Sequence, residues 1–243
     1  MRPTRASAYW RSTVLSEFGD SMIWSAFKLS LLVTFVATCV VVLIGTSFAF
    51  VLARRKFRGR ELLDAIVTLP LVLPPTVTGY YLIVLLGRRG VIGSYIYEHT
   101  GWSVTFTWWA AVIAAGVMAL PLMVKSARAA IESVNPQYEV ASYTLGKSEL
   151  ETFFRITLPL ASRGVLAGIV LSFARALGEF GATLMLAGNI PGKTQTMPLA
   201  IYEAVVAGED RQAQMLALIL TAVSVTAIYL TNKLAGNRAQ GPG

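Results

Sequence analysis

Cysteine and histidine are nearly missing from this sequence. Among 243 residues there is one cysteine, Cys39, and one histidine, His99. A single cysteine permits no disulfide framework and no thiolate metal site within one chain, and so little imidazole and thiol argues against a transition-metal centre. Cys39 lies inside an apolar run, where a small buried or lipid-facing side chain is the plain reading; His99 falls in a polar loop. Charge is scarce as well, at 14% of residues against roughly 25% in an average soluble domain. With 55% hydrophobic residues and a mean hydropathy of +0.60, the chain lacks the polar surface a soluble protein of this size needs. It reads as a polytopic membrane protein. Also missing are a Ser/His/Asp constellation, a pair of carboxylates facing a shared cleft and a glycine-rich phosphate loop. The chain is therefore expected neither to be an enzyme nor to bind ATP itself. The net charge of +8 comes without the basic–aromatic patch of a nucleic-acid binder, because the basic residues fall between apolar runs. Residues 1–19 carry arginines but no early apolar stretch with a small-residue cleavage site, so no removable signal peptide is read there.

Five long apolar runs are present, at about 22–53, 62–87, 107–131, 163–187 and 213–232. Each supplies the ~20 residues that a helix needs to cross ~30 Å of hydrocarbon, and backbone groups in lipid must pair internally, so helices are predicted. Arg54, Arg55, Lys56, Arg58, Arg60, Lys125, Arg128, Lys147, Arg155, Arg163, Lys233 and Arg238 fall on one side; Arg2, Arg5, Arg11, Arg88, Arg89, Lys193 and Arg211 fall on the other. The richer side belongs in the cytoplasm, which places the N-terminus outside and the C-terminus inside. The three N-terminal arginines suit a sixth, re-entering helix better, although residues 1–21 are too polar to cross alone. Trp108 and Trp109 open the third run, where interfacial aromatics belong. The expected organisation is an extracytoplasmic or interfacial segment over 1–21, one membrane domain over 22–235, and a disordered tail over 236–243.

The stretch 132–160 is longer and amphipathic. Asn135-Pro136 offers a helix start, since proline is tolerated in a first turn. The short helix should stop near Gly146, whose missing Cβ suits a left-handed cap. A second helix over 148–157 would present Phe153, Phe154 and Ile156 on one side, with Pro159 resetting the chain direction before the next span.

These residues carry a resemblance. Glu139-Val140-Ala141, Gly146 seven residues after the glutamate, Ile156 ten after that glycine, and then Leu158-Pro159 resemble the EAA loop of ABC importer permeases, with Val140 where that family has alanine. Further segments are similar to the molybdate permeases of that group. They are Leu69-Pro70-Leu71-Val72-Leu73-Pro74-Pro75-Thr76-Val77-Thr78-Gly79-Tyr80, Gly178-Glu179-Phe180-Gly181 and Asn189-Ile190-Pro191-Gly192. Tungstate and sulfate or thiosulfate permeases are the alternative readings within the class.

The resemblance implies an all-α polytopic membrane fold, a type I ABC importer transmembrane domain with five core helices, or six if the N-terminus re-enters. It further implies that 132–160 is the coupling loop. Glu139, Ala141, Gly146, Ile156, Leu158 and Pro159 would be its ATPase-coupling residues. The implied partners are two copies of an ABC ATPase carrying ATP and magnesium, a second copy of this chain, an extracytoplasmic molybdate-binding protein and membrane lipid, with no nucleic acid. No cofactor or metal is expected on the chain.

For the path itself the residues speak more directly. Pro70, Pro74 and Pro75 remove three backbone donors within one run, and irregular backbone at membrane depth persists only where protein or water shields it. Pro74, Pro75, Thr76 and Thr78 are thus candidates to line a path, a packing kink being the other reading. Arg175 and Glu179 stand one turn apart in the fourth run, where charge is costly; they form either a structural ion pair or part of a gate. A channel or secondary transporter would embed more ionisable groups than this pair and would leave the 132–160 loop without a purpose.

Overall fold

Two long helices and the small residues between them set the frame. A computed structural model describes residues 5–237, with side chains from Met22 to Tyr229 and at Lys233. Helix α1 (Arg5–Arg54) carries the apolar stretch Met22–Arg54 and stops at the basic Arg54-Arg55-Lys56 turn. The expected segment 1–21 continues from Arg5 as the backbone of α1, and its side chains lie outside the described residues.

The second apolar run, long enough for one span, is broken. It folds as α2 (Arg60–Val72) and α3 (Pro75–Leu86), which meet at 120°. Leu73 and Pro74 are both extended there, as a residue preceding proline is pushed out of the helical region, and Pro75 opens the next helix at a position needing no N–H. The outer loop contains α4 (Gly93–Thr100), so His99 is helical rather than in a loop, its ring 4.1 Å from that of Tyr95.

Helix α5 (Trp108–Glu132) begins at Thr107, whose side chain accepts from Ala110 N–H. Ala110, Ala111, Ala114, Ala115 and Ala119 are fully buried along it. This alanine face lets neighbouring helices approach closely, as membrane packing favours. A Cβ on Gly45 of α1 would lie 2.8 Å from Met123 Cγ, so the contact admits nothing larger.

The loop that follows is helical almost throughout. It comprises α6 (Pro136–Thr144), α7 (Glu149–Thr152), a π-helical turn (Phe153–Thr157) and α8 (Leu158–Leu160). Here two expectations are corrected. Pro159 does not reset the chain: helix continues through Leu160, and the 79° bend into α9 (Ser162–Leu177) falls at Ala161. Without an N–H at Pro159 the ladder slips to the wider π pattern just before it, and Leu158 N–H reaches back to Phe153 O. Nor do Phe153 and Phe154 share a face. Phe153 packs edge-on to Phe50 at 4.8 Å while Phe154 points outward, since successive helical residues diverge by about 100°.

The fourth run is also broken. α9 ends at Leu177, and α10 (Gly181–Ala187) starts after Gly178, Glu179 and Phe180. α11 (Met197–Val206) is an apolar helix too short to span, tied to α1 by Met197 N–H donating to Ser30 Oγ at 2.7 Å. α12 (Asp210–Asn237) lies on the outside of the bundle, with 11% of its apolar window buried. It carries helix two residues into the expected 236–243 tail, the rest of which lies outside the described residues. The described part thus contains three helices long and apolar enough to cross a membrane, or five if each bent pair is one span.

Candidate functional site

α6 is delimited at both ends by its own sequence. The Asn135 side chain accepts from Gln137 N–H at 3.0 Å, and Pro136 occupies the first helical position. At the far end Gly146 N–H donates to Tyr143 O at 3.0 Å and Lys147 N–H to Ser142 O at 3.2 Å. These are the paired bonds of a Schellman closure around a left-handed glycine at φ 76°. A Cβ on Gly146 would meet nothing within 4 Å, so the requirement for glycine is conformational rather than steric. Ser148 then caps α7 by accepting from Glu151 N–H.

Glu139 turns inward from α6 and is 7% exposed. Its Oε1 accepts from Arg54 Nε at 3.0 Å and from Thr157 Oγ1 at 2.7 Å. Arg54 Nη2 in turn donates to Ile131 O at 2.9 Å, in the last turn of α5, and to Val134 O at 3.1 Å, just beyond it. One buried carboxylate therefore joins α6 to the end of α1, to the π turn and, through Arg54, to α5. Beside it Ser142 Oγ and Thr152 Oγ1 share a buried hydrogen bond of 2.8 Å, and Arg55 pairs with Glu149. Removing one partner of such a buried pair costs on the order of 3–5 kcal/mol, because the other charge is left uncompensated. Through these partners Glu139 fixes how α6 sits against the bundle. Arg54, Thr157, Ser142 and Thr152 were not singled out from the sequence, although Thr157 sits between the motif's Ile156 and Leu158.

The opposite side of the hairpin faces outward. Leu145 and Leu150 are 79% and 72% exposed, and Tyr138, Val140 and Phe154 are exposed with them. Ala141 lies on this exposed side, Pro159 is exposed, and Ile156 and Leu158 are half-buried, Leu158 packing on the core. Burial first, then the Glu139 and Glu149 carboxylates, push the Tyr143 phenol above its ordinary value.

The second set of candidates gathers at the junction of the two broken runs. A Cβ on Gly181, at the start of α10, would lie 2.9 Å from Pro75 Cβ and 3.3 Å from Thr76 N; one on Gly79 would lie 2.7 Å from Met185 Cβ. α3 and α10 thus touch backbone to backbone. Thr76 is exposed there, and so are Pro74 and Pro75. Thr78 is buried, its Oγ1 without a partner among the described residues. Arg175 Nη1 lies 2.7 Å from Glu179 Oε2, and Glu179 Oε1 accepts from Ala182 N–H at 2.7 Å. The pair bridges the break: Arg175 sits in the last turn of α9, while Glu179, expected within the same helix, lies beyond its end and caps the next one. The coupling and path sets occupy separate regions. Among the described residues no group of three or more His, Cys, Asp or Glu could hold a metal ion.

Residues 42–234 match the family described as the binding-protein-dependent transport system inner membrane component. The chain is 45% identical over 213 residues to the molybdenum transport system permease protein ModB of Escherichia coli (strain K12), covering 87% of this chain and 93% of that protein. It is 35% identical over 215 residues to the sulfate transport system permease protein CysT of the same strain, covering 88% of this chain and 77% of the relative. In fold it resembles a chain in the crystal structure of a bacterial ABC transporter that imports the acidic polysaccharide alginate. The TM-score is 0.72 at 16% identity, over 90% of this chain and 80% of that one.

Proposed function

The chain belongs to the family of inner-membrane components of binding-protein-dependent transport systems, and from that premise we propose how it works as the molybdate permease of an ABC importer. It is a non-catalytic, multi-pass membrane subunit. The observation that carries molybdate over sulfate is the gap between 45% and 35% identity across the same nearly complete span.

ATP and magnesium are bound by a partner ATPase on the cytoplasmic side, which docks on the exposed apolar face of the α6–α8 hairpin. Closure of two ATPases draws two hairpins together, and because Glu139 and Arg54 bind each hairpin to α1 and α5, the spans move with them. Each state is biased by differential contacts between hairpin and ATPase, as any coupled transition requires. Two copies of this chain enclose the path, since five helices leave little room for a hydrated route inside one subunit. An extracytoplasmic molybdate-binding protein delivers the anion, and the chain resides in the bacterial inner membrane. Thr76 lines the path beside the α3–α10 junction, with Thr78 joining it when the junction opens. Neutral donors suit a cargo that must be released.

The test is whole-cell uptake in a strain lacking its own molybdate permease, supplied with this chain and its cognate ATPase and binding protein. Molybdate should accumulate and excess sulfate should not compete. Accumulation that sulfate abolishes would make it a sulfate permease instead.

A further inference from the structure

The elbow between α1 and α2 holds a cleft of about 630 Å³ against α5 that neither the hairpin nor the α3–α10 junction uses. We infer that it seats the phosphodiester of an anionic phospholipid from the adjoining leaflet. Three cations line it, Lys56, Arg60 and Arg128, together with two acids, Glu61 and Asp64. Most of this charge is already committed. Asp64 is held by Lys125 at 2.8 Å and Arg128 at 3.2 Å, and Glu132 takes Arg128 at 2.8 Å and Arg60 at 3.3 Å. Two donors are left over. Lys56 pairs with no carboxylate among the described residues, and Arg60 Nε is buried without a hydrogen-bond partner. A buried guanidinium N–H left unmade is costly, and a small turn of the Arg60 side chain into the cleft would offer it to an anionic oxygen, its natural complement.

The shape of the site selects the anion. Glu61 stands exposed in the first turn of α2 within the same cleft. It opposes a free dianion such as phosphate more than a phosphodiester carrying one negative charge. From the cleft, Leu62, Ile66 and Leu69 run up one exposed face of α2 at positions i, i+4 and i+7. That helix, 13 residues long, rises about 20 Å, enough to cross one leaflet of ~15 Å, half the hydrocarbon core. A headgroup phosphate at Lys56 and Arg60 would thus have its acyl chains laid along this stripe. Basic pockets at the cytoplasmic ends of membrane helices recognise headgroups in this way.

The experiment is native mass spectrometry of the complete permease–ATPase complex, released from nanodiscs containing equal phosphatidylglycerol and phosphatidylcholine. Phosphatidylglycerol should be retained in preference, and Lys56→Ala should lower its retention about five-fold, the equivalent of about 1 kcal/mol per basic residue. Leu62→Ser, which leaves every charge in place, should weaken retention by shortening the acyl track. Excess inorganic phosphate should not displace the lipid. Equal retention of the two lipids, or retention indifferent to Lys56→Ala, would overturn the proposal. Displacement by inorganic phosphate would overturn it as well, making the cleft a free-anion site.

Discussion

Arg54 Nε and Glu139 Oε1 lie 3.0 Å apart across 85 residues of chain, both side chains largely buried. This contact converts the α6–α8 hairpin from an appendage into part of the bundle. Arg54 ends the apolar stretch of α1, binds one carbonyl in the last turn of α5 and one just beyond it, and holds the one carboxylate of α6.

Removing either partner should therefore uncouple rather than merely weaken. Arg54→Ala or Glu139→Ala leaves a buried charge unpaired, at a local cost on the order of 3–5 kcal/mol. ATPase activity of the reconstituted complex should become independent of transport, while the permease still inserts. The pair Arg54→Met with Glu139→Leu should recover much of the lost thermal stability, because two apolar residues of similar volume leave no orphan charge. A double-mutant cycle on melting temperature measures this directly.

Thr157→Val removes a lesser tie. Glu139 keeps Arg54, so the loss should be about 1.5–3 kcal/mol, one buried hydrogen bond to a charged group. Melting should fall slightly and uptake should persist. A loss as large as that of Arg54→Ala would mean that Thr157 does more than donate this bond.

How far could these sites be read from the sequence? The limits of α6 could be, because Asn135, Pro136 and Gly146 act on their own backbone. That the second run is irregular was equally visible at Pro70, Pro74 and Pro75, although helix continues through Pro70 and the break falls at Leu73-Pro74. The 120° angle of that break was not, since proline shows where a ladder ends and not what the next helix packs against; here that is α10, through Gly79 and Gly181. The break after Leu177 was hidden by unbroken hydropathy from 163 to 187. Glu179 marks it only through its bond to Ala182 N–H. Arg54 was counted with the topology charges because its partner is remote in sequence. No spacing rule reaches across 85 residues.

Gly146 has room for a side chain but a left-handed backbone. Gly146→Val should thus cost about 1–2 kcal/mol in strain and impair ATPase docking, whereas Gly146→Asn, a residue that tolerates this region, should retain most of it. Copurification of the ATPase with each variant is the readout. Equal loss with both would point to a direct contact at Gly146 instead of a turn.

At the α3–α10 junction the constraint is steric. Gly79→Val and Gly181→Val should push these helices apart, because even a Cβ at either site lies under 3 Å from a neighbour. Transport should fall while the ATPase still copurifies, the reverse of the hairpin variants. With Cys39 replaced by serine, Thr76→Cys should react with a small aqueous thiol reagent in at least one nucleotide state, and Thr78→Cys only in a state that opens the junction. If neither site ever reacts, the break is a packing element and not a path.

The most direct measurement is molybdate accumulation by proteoliposomes containing this permease and its ATPase, with the binding protein supplied outside and ATP sealed within. Wild type should accumulate molybdate only when all three components and ATP are present, and Glu139→Ala should abolish accumulation while leaving ATP hydrolysis in place. Accumulation without the ATPase, or undiminished accumulation by Glu139→Ala, would contradict an importer driven through the α6–α8 hairpin.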